Sequence, residues 1–148
     1  MTKQHIFTQM IPERDEPALY INPRSEQIAA FAEEAITGED QPKVRLLAGS
    51  NEIKDALYSF LTASKIAELI HREQLSLRTL TEPVQNTIFT TESETVVPVM
   101  DTHSISSSDP ELVPSVYREF DSRFEAAEQY HLRTPALSVV KQTLREEI

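Results

Sequence analysis

The sequence predicts an α/β fold: a mixed sheet of about five strands, with an antiparallel hairpin and helices packed on it. Two strand–helix units open the chain. "ALYIN" leads into "SEQIAAFAEEAITG", and "KVRLLAG" leads into "SNEIKDALYSFL". Successive units of this kind argue for parallel strands joined by right-handed crossovers. Further on, "NTIFTT" and "ETVVPV" flank the polar pair Glu92–Ser93, which reads as a hairpin and supplies the antiparallel part.

Residues 1–17 are polar and without a clear period, so they are expected to be a tail or an edge strand, and 18–148 a single domain. Ala18–Asn22 is a short apolar strand closed by Pro23. In the first helix Ile28, Phe31, Ala32 and Ala35 form one stripe, with Ser25 as cap, Glu26 in the first turn and Gly38 as stop. Lys43–Gly49 carries the run "VRLL", which predicts a parallel strand covered on both faces.

Ser50 then caps a helix with Ile53, Leu57, Phe60 and Leu61 on one side. Beyond Thr62 the phase slips, and Ile66, Leu69 and Ile70 point more than a quarter turn away. One straight helix cannot bury both sets, so two helices are predicted, Asn51–Leu61 and Ala63–Glu73, joined at Thr62 or Ser64. Leu75–Leu80 alternates like a strand. Pro98 cannot donate to a ladder, which makes the second hairpin arm an expected edge. "DTHSISSSD" reads as a loop.

Asp109 and Pro110 signal a long helix whose buried face is Val113, Val116, Tyr117, Phe120, Phe124 and Ala127, with Pro114 pushing its start later. Thr134 is read as the cap of a last helix striped by Leu137, Val140, Leu144 and Ile148. That stripe reaches Ile148 without a stop signal, so the native chain is expected to continue.

Charge narrows the function. The 148 residues hold 24 acidic against 14 basic side chains, a formal net charge of −10. Such a surface repels a phosphate backbone, which disfavours DNA binding by this chain alone. Arg outnumbers Lys nine to five and acids cover the helices, which fits a salt-rich cytoplasm, whereas Glu outnumbering Asp eighteen to six fits an ordinary acidic protein. No apolar run approaches the ~20 residues of a membrane span. The N-terminus lacks the layout of a signal peptide, so a cytoplasmic protein is expected. With no cysteine there is no disulfide scaffold and no thiol nucleophile.

"TASKIAELI" resembles the first helix of a helix-turn-helix, yet "LSLRTL" after it says strand, and the recognition helix is missing. His5, His71, His103 and His131 have no zinc-site spacing. There is no G-x-S-x-G motif, no Gly-rich phosphate loop and no acid–base pair, so neither an enzyme nor a cofactor or metal site is expected. What remains is the set of strand ends, where ligands gather in sheets of this kind. Asn22, Ser50 with Asn51, and Arg78 with Thr79 are the candidates there, and Arg133 in the second "LRT" joins them. A helix N-terminus favours anions and an arginine can fork onto a carboxylate or phosphate, so the expected ligand is a small anionic metabolite. The alternative is plain: Arg78 pairs with an acid while Ser50 and Thr134 only cap.

At "LSLRTLTEPVQNTIFTTESETVVPV" and "EFDSRFEAAEQYHLRTPALSVVKQTLREE", and again at "LYINPRSEQIAAF" and "VRLLAGSNEIKDALYSFLTASKIAELI", the chain resembles the amino-terminal domain of haloarchaeal TbsP-type transcription regulators. The resemblance implies an α/β regulatory domain followed by a winged-helix DNA-binding domain, similar to the phospholipase-D-like sensor halves of sugar-responsive archaeal regulators. Without an H-x-K motif, phospholipase chemistry is not implied. The expected function is therefore effector sensing, dimerisation or both, with a homodimer as partner and promoter DNA reached only through the further domain. A small acidic interaction protein or DNA mimic is the alternative.

Overall fold

A computed structural model describes residues 16–38, 43–100 and 103–147. The predicted tail falls almost wholly outside them, as do Ile148 and the side chain of Leu137. The elements run β1 (Ala18–Ile21), α1 (Ser25–Thr37), β2 (Val44–Gly49), α2 (Ser50–Leu57), α3 (Phe60–His71), β3 (Leu75–Leu80), β4 (Ile88–Thr90), β5 (Thr95–Met100), β6 (His103–Ser107), α4 (Leu112–Ala126) and α5 (Leu137–Glu147). One six-stranded sheet has the order β3-β2-β1-β4-β5-β6. β1, β2 and β3 are parallel, and β4, β5 and β6 continue antiparallel from β1. The class agrees with the sequence. The strand count is one higher because "HSISS", expected as loop, pairs with β5.

Alternation along the strands sends side chains to two different layers. Ala18, Tyr20, Val44, Leu46, Leu75, Leu77, Phe89 and Val96 pack with Ile28 and Phe31 of α1, Ile53 of α2, and Ile66 and Leu69 of α3. Leu19, Ile21 and Leu47 face the other way, onto Phe120 and Phe124 of α4. Both faces of the parallel strands are thus covered, as "VRLL" predicts.

The helix boundaries hold two corrections. α2 stops at Leu57, and Ser59 in extended backbone restarts the chain as α3, its hydroxyl accepting from the Thr62 N–H at 3.4 Å. The phase slip is real, but the joint comes earlier than Thr62. Phe60 and Leu61 consequently leave the buried stripe and are exposed, beside Tyr58, which is 93% exposed. Pro98 does not mark an edge either. β5 is interior, and Pro98 sits opposite Ser104 where the register shifts, an irregularity that tolerates a missing N–H.

Capping differs in detail. Ser25 and Ser50 are first helical residues, with Arg24 and Gly49 at the cap positions. At α4 the Asp109 carboxylate accepts from the Glu111 and Leu112 N–H groups, and Pro114 falls in the first turn, where an N–H has no intrahelical partner.

Candidate functional site

The carboxyl ends of β1, β2 and β3 do share one edge of the sheet, since Ile21 is level with Leu47, and Leu47 with Arg78. What the candidate side chains do there is largely internal. Asn22 adopts the left-handed conformation (φ 57°) and its N–H donates to the Leu47 carbonyl at 2.7 Å. Its side-chain amide donates to the Val84 carbonyl at 2.7 Å, and its own carbonyl accepts from the Thr87 hydroxyl at 2.8 Å. Asn22 therefore pins the 84–87 loop across the end of β1. Ser50 and Asn51 start α2, and Glu52 beside them sends a carboxylate oxygen to the Ser25 N–H at 2.6 Å. The protein thus supplies its own anion to the start of α1.

Arg78 lies on the α4 face of β3. Its Nη1 donates to the carbonyls of Phe124 at 2.7 Å and Glu125 at 3.2 Å, in the last turn of α4, where the Phe124 carbonyl also accepts from the capping Ala127 N–H at 3.1 Å. The guanidinium also sits 4.5 Å from the centre of the Phe124 ring. Neither alternative weighed from the sequence describes this: Arg78 pairs with a helix terminus rather than with an acid. Thr79 is held through its backbone, the N–H donating to the Glu128 carbonyl at 2.9 Å. Arg133 is exposed in the connection between α4 and α5, away from the strand ends.

Arg45 escaped the sequence reading, although an arginine inside "VRLL" is its signal. It meets Asp121 at 2.6 Å, Glu125 at 3.4 Å and the Tyr117 hydroxyl at 3.0 Å, with Phe124 5.3 Å below it. Arg45 and Arg78 thus both contact one aromatic ring and fasten α4 to the sheet. Burial pushes the Tyr117 hydroxyl above its ordinary pKa, while Arg45 works against that rise.

A groove of about 780 Å³ opens along β3, between α3 and the connection that leads into α5. Leu75, Leu77, Tyr130 and Leu132 give it an apolar floor, and Lys43, His71, Ser76, Arg78, His131 and Thr134 rim it. Glu73 is its one acidic lining residue, so the groove reverses the sign of a chain with net charge −10. Lys43, His71 and His131 are far apart in the sequence, which weighs the two histidines only for zinc-site spacing and does not connect the three. A separate hollow of about 120 Å³ lies at the end of β3, between Thr79, Leu80, Arg123 and Ala126. Among the described residues no cluster of three His, Asp or Glu side chains could hold a metal ion, and no helix is long and apolar enough to cross a membrane.

The family match makes this mixed α/β unit a transcription-regulator domain. Residues 1–135 match the family described as transcriptional regulator TbsP-like, N-terminal, and the chain belongs to that family. Among solved structures it is similar to TrmBL2, described as an archaeal chromatin protein with a novel mode of DNA binding. That likeness has a TM-score of 0.63 at 18% identity and covers 86% of this chain and 50% of the TrmBL2 chain, so it concerns the fold. No curated protein matches the chain.

Proposed function

We propose that the chain is the effector-sensing and self-associating part of a cytoplasmic transcription regulator, and that its effector is a small anion held in the groove along β3. The observation that carries this reading is the charge reversal: Lys43 and Arg78 line a groove whose one acid is Glu73, with His71 and His131 as further polar groups on its rim. An anion is repelled by most of this surface and attracted there. The groove wall also includes Ala136 and Val139, so an occupant touches both the sheet and the helix that follows it. Holding α5 is the means by which a bound effector alters what the domain is joined to. Promoter DNA is left to a further domain, because α3 is followed by a strand and not by a recognition helix.

Of the strand-end residues, only Arg78 serves this groove. Asn22, Ser50, Asn51, Thr79 and Arg133 take no part in it. Isothermal calorimetry with inorganic phosphate and small carboxylic acids tests the reading. Binding is expected to be lost in Lys43→Ala and His131→Ala, both at exposed positions, and kept in Lys54→Ala on α2. No heat with any of these anions, or a salt-dependent shift of promoter DNA by this chain alone, overturns it.

A further inference from the structure

The two edges of the sheet are finished differently. Along β3 the chain returns and covers the edge: the Thr79 N–H donates to the Glu128 carbonyl and the Tyr130 N–H to the Leu77 carbonyl, both at 2.9 Å, and Gln129 bridges Arg78. Along β6 no strand among the described residues does the same. An open edge is a template for another chain, and proteins usually blunt it with charge, proline or a bulge. β6 reads His-Ser-Ile-Ser-Ser, with no acid, lysine, arginine or proline of its own, and the one irregularity in its pairing lies on β5, between Pro98 and Met100.

The neighbourhood is nearly as bare. Between Thr95 and Ser108 the one Asp, Glu, Lys or Arg is Asp101, in a chain of which 26% is charged. Val99 (53%), Met100 (66%) and Ile105 (65%) are exposed there, and Leu112 (49%) follows at the start of α4. Charge selects the occupant. Nucleic acid or a basic protein gains little from a nearly uncharged patch. Two copies of a chain at −10 repel each other wherever their acids meet, and this is where they approach at least cost.

We infer that β6 is a self-association edge, pairing antiparallel with β6 of a second copy about a two-fold axis through Ile105. Antiparallel pairing centred there sets Ile105 against Ile105, Ser104 against Ser106 and His103 against Ser107. The two sheets then run on as one, and the interface is isologous. This rests on the self-association proposed above and gives it a surface different from the stripe on α5.

Sedimentation velocity on the full chain tests it. The chain is expected to be a dimer, Ile105→Lys and Ile105→Glu each a monomer with unchanged circular dichroism, and Leu144→Lys on α5 still a dimer. Mixing Ile105→Lys with Ile105→Glu restores the dimer, because the two side chains face each other, whereas misfolded variants do not rescue one another. A dimer that survives both Ile105 variants overturns the β6 assignment and leaves self-association standing. A monomeric wild-type chain overturns both.

Discussion

The two faces of the sheet are held by different forces. On one, α1, α2 and α3 cover a largely apolar layer that runs from Leu77 through Leu46 and Tyr20 to Phe89 and Val96. On the other, α4 lies over a smaller apolar patch, and its last two turns are fixed by Arg45 and Arg78, both against the Phe124 ring. The first face uses non-directional burial. The second uses geometry: a guanidinium donates to carbonyls in the last turn of the helix, and the carboxylates of Asp121 and Glu125 return to the strand. Burial tolerates substitutions of similar volume, whereas a directional seat depends on particular atoms.

The largest effects come from breaking each face at its centre. Leu46 is fully buried beneath the three helices, and Leu46→Ala is expected to cost ~2–5 kcal/mol through lost transfer and a residual cavity. Phe124→Ala removes a buried ring and the platform for two arginines, with a cost of ~3–5 kcal/mol. Urea unfolding gives both values, and native-state hydrogen exchange separates them. Phe124→Ala should release the amides of α4 ahead of the sheet, while Leu46→Ala weakens all of them together. Uniform loss of protection in both variants means that the faces form one cooperative unit, and the contrast drawn here fails.

A smaller effect sharpens the same contrast. Arg78 is half-buried and makes two bonds to helix carbonyls, so Arg78→Ala is expected to lower stability by ~1–2 kcal/mol. Arg45 faces acids that are themselves largely solvated, and Arg45→Ala should cost less, within ~1 kcal/mol. Arg78→Lys should recover only part of the loss, because an ammonium cannot reproduce the planar fork over the ring. Equal losses at Arg45 and Arg78 in thermal melts count against the helix-terminus account.

The difference between the faces also explains what could be read from the sequence. Ile28, Phe31, Ile66, Leu69, Val113, Phe120 and Phe124 announce their burial by helical spacing alone. All of them are buried. Phe60 and Leu61 follow the same period but fall beyond the end of α2, where Ser59 resets the phase, and periodicity cannot locate such a break. β6 went unread because serine carries no hydrophobic period, and only its pairing with β5 makes it a strand. The strand ends were legible as a shared edge, since parallel crossovers dictate it. The uses of Asn22 and Arg78 were not, because they depend on the 84–87 loop and on where α4 ends, contacts more than forty positions away. The groove is likewise tertiary, with Lys43, His71 and His131 lining it only after α3, β3 and the last connection are in place.

The smallest expected effect concerns one of the polar groups on the three-helix side, where Ser64 and Glu68 are buried as well. Glu34, on the last turns of α1, has one carboxylate oxygen buried without a hydrogen-bond partner, and burial pushes its pKa from an ordinary 4.5 up to about 7. It also lies close enough to Tyr20 to add to the upward shift that burial gives that hydroxyl. Between these two pH values the folded chain keeps a proton that the unfolded chain has released, so folding is favoured at the acidic end. The contribution is complete below about pH 4.5 and disappears as the pH rises through about 7. Glutamine has the shape of the protonated acid and does not titrate. Glu34→Gln is therefore expected to melt with the wild-type chain near pH 4.5 and measurably above it at pH 8, the gap opening across that window. A gap of the same size at both ends would mean that Glu34 does not titrate there. A variant that melts lower at pH 8 would show that the carboxylate is compensated, and this face would then share the directional chemistry of the other.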